Sequence, residues 1–232
     1  MADGLDEQGV DSGQWRRALA EGIGTYFLVL IGPGAVMVDA YTHGALGVTG
    51  IALAFAFVIA AMVYALGPLS GCHINPAVTL TFWSLRRFPA RDVAPYLAAQ
   101  CTGAILASLT MRTVLGPIGE LGATLPHVGL AGSLAVEWIF SFGLMLVIMS
   151  VATGSRVDDG FAGLAVGLTV GFCALLGPLT GASMNPARSF GPALVGGLWT
   201  GHWIYWIAPI TGMMCGGRVY TYLRQGRTTS IK

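Results

Sequence analysis

Leu66-Gly67-Pro68-Leu69-Ser70-Gly71-Cys72-His73-Ile74-Asn75-Pro76-Ala77 decides the fold, because almost the same phrase returns 110 residues later. The second copy reads Leu176-Gly177-Pro178-Leu179-Thr180-Gly181-Ala182-Ser183-Met184-Asn185-Pro186-Ala187. In each copy a proline follows an asparagine. Proline suits the first position of a helix, since its missing N–H would be unpaired there anyway, and the asparagine before it can cap exposed amides. Asn-Pro therefore reads as a helix start, at Pro76 and at Pro186. The apolar runs that follow, Pro76 to about Ser84 and Pro186 to about Val195, are too short to cross a bilayer core of roughly 30 Å at about 1.5 Å per residue. Each reads as a half-helix that enters the membrane and stops.

Working outward, six longer apolar runs surround these segments: Ala18 to Val38, Val48 to Leu66, Val93 to Val114, Gly132 to Ala152, Phe161 to Leu176 and Trp203 to Tyr222. A span needs roughly 20 apolar residues. Three spans per copy is an odd number, so the second copy enters from the opposite face, giving an inverted repeat about an axis in the membrane plane. Each copy also carries one acidic residue in its first span with a hydroxyl four positions later, Glu21 with Thr25 and Glu137 with Ser141. The expected fold is an all-α membrane protein of six transmembrane helices plus two re-entrant half-helices. The expected organisation is a polar cytoplasmic tail at 1–15, one channel domain at 16–224 with copies at about 16–115 and 131–224, and a short tail at 225–232.

Composition agrees with lipid as the solvent. Hydrophobic residues make up 54% of the 232 and charged ones 10%, with 34 glycines, and the mean hydropathy is +0.70. Such a chain has too little polar surface to clothe a soluble globule. A net charge of +1 gives no footprint for a nucleic-acid partner. Cys72, Cys101, Cys173 and Cys215 show no metal-ligand spacing and no disulfide framework, so they read as buried free thiols, and neither a metal nor a cofactor is expected. The first fifteen residues, with Asp3, Asp6, Glu7 and Asp11, do not look like a cleavable signal peptide. Positive residues gather on the cytoplasmic side. With both termini inside, every Arg and Lys except Arg112 and Arg188 falls there, which predicts cytoplasmic termini in the cell's plasma (inner) membrane.

By the inverted symmetry the two half-helix N-termini meet near mid-membrane. Each carries about half a positive charge, so the junction opposes cations and protons while neutral molecules feel it least. The Asn75 and Asn185 amides can donate to a passing oxygen and orient a water so that it relays no proton. The loops at 67–74 and 177–184 line the path with carbonyls, irregular backbone being tolerated at that depth only against protein or water.

These motifs, Ser70-Gly71-Cys72-His73-Ile74-Asn75-Pro76-Ala77-Val78-Thr79 and Ser183-Met184-Asn185-Pro186-Ala187-Arg188-Ser189-Phe190-Gly191-Pro192, resemble those of the aquaporins, or major intrinsic proteins, over residues 15 to 223. Ser84-Leu85-Arg86-Arg87-Phe88-Pro89, Tyr96-Leu97-Ala98-Ala99-Gln100 and Gly181-Ala182-Ser183-Met184 are most similar to nodulin-26-like members and their microbial relatives. The resemblance implies a homotetramer with one pore per subunit and a four-residue outer filter. Counted from the motifs, the filter falls on Phe55, Cys173, Ala182 and Arg188. It also implies that Glu21 and Glu137 hold the re-entrant loops. Arg188 suits this independently, since an intramembrane cation generally faces a pore and serves function.

The water-specific pattern has histidine where this chain has Cys173. With Cys173 and Ala182 both small, the constriction should be wider and less polar, admitting water plus ammonia, hydrogen peroxide or undissociated metalloid acids. Ser189, where glycerol facilitators have aspartate, and Tyr205-Trp206 match the water-channel pattern instead. The alternatives are a glycerol or metalloid facilitator with water secondary, and a coupled secondary transporter. The latter usually needs ionisable midplane groups, where this sequence has asparagine amides. No nucleophile–base pair or metal cluster suggests an enzyme. His73 stays open between a vestibule or gating residue and a satisfied structural histidine. Cys72 and Cys173 are candidates for mercury sensitivity if they flank the path.

Overall fold

The computed structural model describes residues 12–153 and 159–225. The terminal tails at 1–11 and 226–232, together with Arg156, Arg227 and Lys232, lie outside the described residues. The elements are α1 (Ser12–Tyr41), α2 (Gly47–Ser70), α3 (Pro76–Ser84), α4 (Ala90–Leu115), α5 (Gly129–Thr153), α6 (Ala162–Ala174), a single turn α7 (Gly177–Thr180), α8 (Pro186–Gly196) and α9 (Ile204–Gln225). A 3-10 turn, Ile118–Gly122, lies between α4 and α5.

The two half-helices are present, α3 with nine residues and α8 with eleven. Four of the six expected spans, within α1, α2, α4 and α5, are long and apolar enough to cross a membrane by themselves. The other two are helical where expected but do not meet that length and apolarity by themselves. α6 has only 13 residues, about 20 Å of helix, because the chain breaks at Leu175-Leu176 and resumes in α7. α9, at 22 residues, is long enough but diluted by glycine, threonine and Arg218. Its polar content is tolerated because it packs tightly: a Cβ added at Gly212 would lie 2.5 Å from the Trp138 carbonyl oxygen of α5.

The packing follows the repeat. α1 lies along α4 as α5 lies along α9, and α2 pairs with α6 between the copies. Each half-helix packs on the third span of the other copy, α3 on α9 and α8 on α4. Gly103 permits the α1–α4 crossing, since any Cβ there would strike the Gly22 carbonyl; small residues are what let membrane helices approach.

Polar and apolar side chains are distributed inside out relative to a soluble protein. Leu19, Phe57, Ile139, Phe172 and Ile207 are each more than half exposed, while Glu21, Thr25, Gln100, Glu137 and Ser141 have no exposure at all. In water that arrangement would be unstable; in lipid it is required. The chain is an integral membrane protein.

Candidate functional site

Two buried carboxylates organise the site. Glu21 on α1 accepts hydrogen bonds at Oε1 from the Ser70 hydroxyl (2.7 Å) and the His73 N–H (2.8 Å), and at Oε2 from the Ile74 N–H and Gln100 Nε2 (2.9 Å). Glu137 on α5 accepts at Oε1 from the Thr180 hydroxyl (2.7 Å) and the Ser183 N–H (2.8 Å), and at Oε2 from the Met184 N–H (2.8 Å). Trans peptides are planar with N–H and C=O opposed. Drawing the amides of residues 73, 74, 183 and 184 to a carboxylate therefore turns the carbonyls of Cys72, His73, Ala182 and Ser183 the other way, toward the cavity these residues line.

This geometry strains the backbone. Gly71 and Gly181 take φ of 84° and 87°, and the non-glycine residues Cys72, Ile74, Ala182 and Met184 also have positive φ. A left-handed non-glycine residue costs about 1–2 kcal/mol, and such residues persist only where the surroundings over-determine them. The carboxylates supply that constraint, helped by Tyr96 and Tyr205, whose hydroxyls donate to the Ser70 and Thr180 carbonyls, both at 2.9 Å. Of the hydroxyls paired with the glutamates by spacing, Thr25 donates to the Glu21 carbonyl at 2.8 Å, and Ser141 has no partner among the described residues.

The half-helices start where the sequence places them. Asn75 Oδ1 caps Ala77 N (2.9 Å), and Asn185 Oδ1 caps Ala187 N (3.0 Å) and Arg188 N (3.3 Å). With the oxygens committed, the amide nitrogens reach across the junction. Asn75 Nδ2 donates to the Met184 carbonyl (2.9 Å) and Asn185 Nδ2 to the Ile74 carbonyl (2.8 Å). Each nitrogen carries a second proton, which has no protein acceptor among the described residues. Pro76, Ala77, Pro186 and Ala187 are buried behind the asparagines.

A cavity of about 620 Å³ runs past this junction. Its lining extends from Tyr64, Val151, Ala152 and Ala162 at one end, past Asn75 and Asn185, to Phe55, Ala182 and Arg188 at the other. Arg188 is 3% exposed and donates from Nη1 to the Gly122 carbonyl at 2.7 Å, while its Nε has no partner among the described residues. Its guanidinium carbon lies 5.3 Å from the centre of the Phe55 ring. That ring is seated on Gly32, where any Cβ would overlap it.

Of the four residues counted from the motifs, three therefore meet at one end of the cavity. Cys173 does not line it and packs half-buried against the core beside it. Cys72 does line it. His73 lines it too, held by Thr79 Oγ1 at 3.1 Å from Nδ1 and by rings of Phe82, Phe88 and Tyr96 within 5.5 Å. Among the described residues no group of His, Cys, Asp and Glu is arranged to hold a metal.

Several contributors have no role assigned from sequence: Gly32 and the Gly122 carbonyl, and Tyr96, Gln100 and Tyr205, which enter there only as motif residues. Gln100, an uncharged polar residue inside an apolar span, is the one that composition alone could have flagged.

Comparison with known proteins agrees with this geometry. A profile of the family described as Major intrinsic protein matches residues 9–220. Aquaporin AqpM of Methanothermobacter thermautotrophicus is 42% identical over 238 residues, covering 90% of this chain and 97% of its own. Nodulin-26 of Glycine max is 42% identical over 211 residues, covering 90% and 78%. The crystal structure of the aquaglyceroporin from Plasmodium falciparum superposes with a TM-score of 0.75 at 23% identity, over 93% of this chain and 97% of that one, and shares the fold. With duplicated Asn-Pro-Ala half-helices meeting beside a continuous cavity, and with these relatives, the chain belongs to the major intrinsic protein family of membrane channels, which are not enzymes.

Proposed function

We propose that this chain is a passive pore for water and for small neutral solutes such as ammonia, hydrogen peroxide and undissociated metalloid acids, and that it excludes protons and other ions. The observation that carries this reading is the reciprocal pair of bonds from Asn75 to Met184 and from Asn185 to Ile74 beside the cavity. They fix both amide groups with one free proton each. A water at the junction can accept from both and then has no lone pair to receive a proton from its neighbour, so the relay is interrupted. The two helix N-termini add about half a positive charge each against cations.

Phe55, Ala182 and Arg188 form the selective constriction, Arg188 offering guanidinium protons to passing oxygens and repelling cations. Cys173 acts behind that wall, its small side chain leaving space. The names aquaporin and nodulin-26 among the relatives support water and small-solute transport. The chain works as a homotetramer in the plasma membrane with both termini cytoplasmic, in keeping with its positive-residue pattern. Purified protein reconstituted in vesicles should accelerate osmotic shrinkage well above protein-free controls, take up ammonia and boric acid faster than controls, and pass no ionic current. Shrinkage equal to that of empty vesicles would reject the pore. Control-level uptake of every other solute would reject only the wider range.

A further inference from the structure

The two copies differ in how the half-helix is tied to its loop, and the difference singles out a residue outside both repeats. Positions 73 and 79 of the first copy correspond to 183 and 189 of the second. In each copy that pair is joined directly, His73 Nδ1 to Thr79 Oγ1 and Ser183 Oγ to Ser189 Oγ. A third partner then anchors the tie. In the first copy it is Gln100, on the long helix α4, which donates to Thr79 Oγ1 at 3.1 Å. In the second copy it is Thr124, which donates to Ser189 Oγ at 2.8 Å and stands just beyond the 3-10 turn, in the connection between the copies.

Thr124 is 4% exposed and touches two parts of the constriction. Besides its bond to Ser189, its side chain fills the space beside Gly181, where an added Cβ would come 2.7 Å from Thr124 Cγ2. Gly181 is the left-handed turn that presents Ala182. Two residues before Thr124 stands Gly122, whose carbonyl receives the Arg188 guanidinium. The hydroxyls run in one direction. Thr124 donates to Ser189, and Ser183 donates to the Asn185 carbonyl (2.9 Å), so among the described residues Ser189 is left to donate to Ser183.

This connection also has a backbone that cannot hold itself. Gly119, Glu120 and Leu121 are consecutive left-handed residues at φ of 56°, 51° and 54°, a conformation disfavoured for Glu and Leu. It stays in place through contacts such as the Thr124 hydroxyl.

We infer that Thr124 is a positioning residue for selectivity: its hydrogen bond to Ser189 holds the Gly122 carbonyl where Arg188 needs it, and so sets the width of the Phe55–Ala182–Arg188 constriction. The inference rests on the reading of that trio as the selective constriction. Without the bond the connection relaxes, Arg188 loses its fixed acceptor, and solutes larger than water pass more easily.

The test compares Thr124→Val, which keeps shape and removes the hydroxyl, with Thr124→Ser, which restores it. Full-length protein in vesicles is assayed for osmotic water flux and for glycerol and urea uptake. Thr124→Val should raise the ratio of solute to water permeability by about fivefold, the factor that goes with one hydrogen bond, and Thr124→Ser should return it to the parent value. A folded Thr124→Val with an unchanged ratio overturns the inference. Should that variant fail to reach the membrane, Ser189→Ala removes the same bond from the acceptor side and must give the same rise; an unchanged ratio there is equally fatal. Arg188→Ala separates the two levels. If it raises the ratio while Thr124→Val does not, only the role of Thr124 falls; if it too leaves the ratio unchanged, the constriction and the role of Thr124 fall together.

Discussion

Glu137→Gln tests the support of the second loop most sharply, because the change is isosteric and alters only charge and one donor–acceptor identity. Oε1 receives two donors and Oε2 one. Whichever way the new amide turns, its NH₂ faces at least one N–H. The least costly orientation opposes it to the Met184 amide. That forfeits one charge-assisted bond and leaves a buried donor without a partner at about 1–3 kcal/mol, while the other two bonds fall from charged to neutral strength. The total is about 2–4 kcal/mol, a large share of the 5–15 kcal/mol that holds a typical domain together. Part of it should be recovered by Ala182 and Met184 leaving their left-handed conformations, which swings the Ala182 and Ser183 carbonyls off the cavity. The expected outcome is a protein that still inserts and assembles, melts earlier in detergent by several degrees, and loses most of its water permeability in stopped-flow light scattering. Parent-like melting together with parent-like flux would refute the claim that this carboxylate maintains the carbonyl path.

Other perturbations give equally direct readings. Arg188→Ala removes a buried cation worth about 4 kcal/mol against another cation 4 Å away at an effective dielectric near 20, so cation or proton leak into dye-loaded vesicles should rise more than about tenfold. Gly103→Ala forces a methyl into the Gly22 carbonyl and should cost about 1–3 kcal/mol, read as a lower melting temperature with no change in solute selectivity. His202, in the turn before α9, accepts at Nε2 from the Trp206 indole at 3.1 Å, and burial holds its imidazole below the ordinary histidine range. The unfolded chain therefore takes up that proton first as pH falls from about 6.5. Thermal stability should decline from there down to the lowered value, and His202→Gln should flatten that part of the pH profile.

The legibility of this fold from sequence was uneven for physical reasons. Asn-Pro starts, span lengths and the 110-residue repeat are local or periodic signals, and they located both half-helices and the identity of the residues at their junction. The break at Leu175-Leu176 was not visible, because an apolar run reads alike whether it is one helix or a helix and a turn; the run Phe161 to Leu176 looks continuous in composition while α6 stops at Ala174. Cys173, half-buried against the core, shows what counting from motifs leaves open. Position along a helix fixes its register roughly, but whether its side chain faces the cavity or the wall beside it depends on the rotation of α6. The Gly122 carbonyl was unreadable in principle, since backbone groups carry no sequence signature and the left-handed turn that presents it includes Glu120 and Leu121, residues not chosen for that conformation.

The repeat also explains where selectivity must reside. At the junction the two Asn-Pro-Ala triplets are identical, so each copy presents the same amide donor and the same helix start there. Corresponding positions farther out do not match. Val78 and Arg188 are equivalent by the 110-residue offset and both line the cavity, yet one is apolar and the other carries the cation. His73 and Ser183, equivalent by the same offset and both lining the cavity, differ as well. A molecule crosses both halves in series, so one charged constriction is enough to set what passes, and a second would only slow the permitted solutes. The apolar lining, with Val63 and Val78 from the first copy and Val166 from the second, and the constriction, with Phe55 from the first copy and Ala182 and Arg188 from the second, separate throughput from discrimination along a single path.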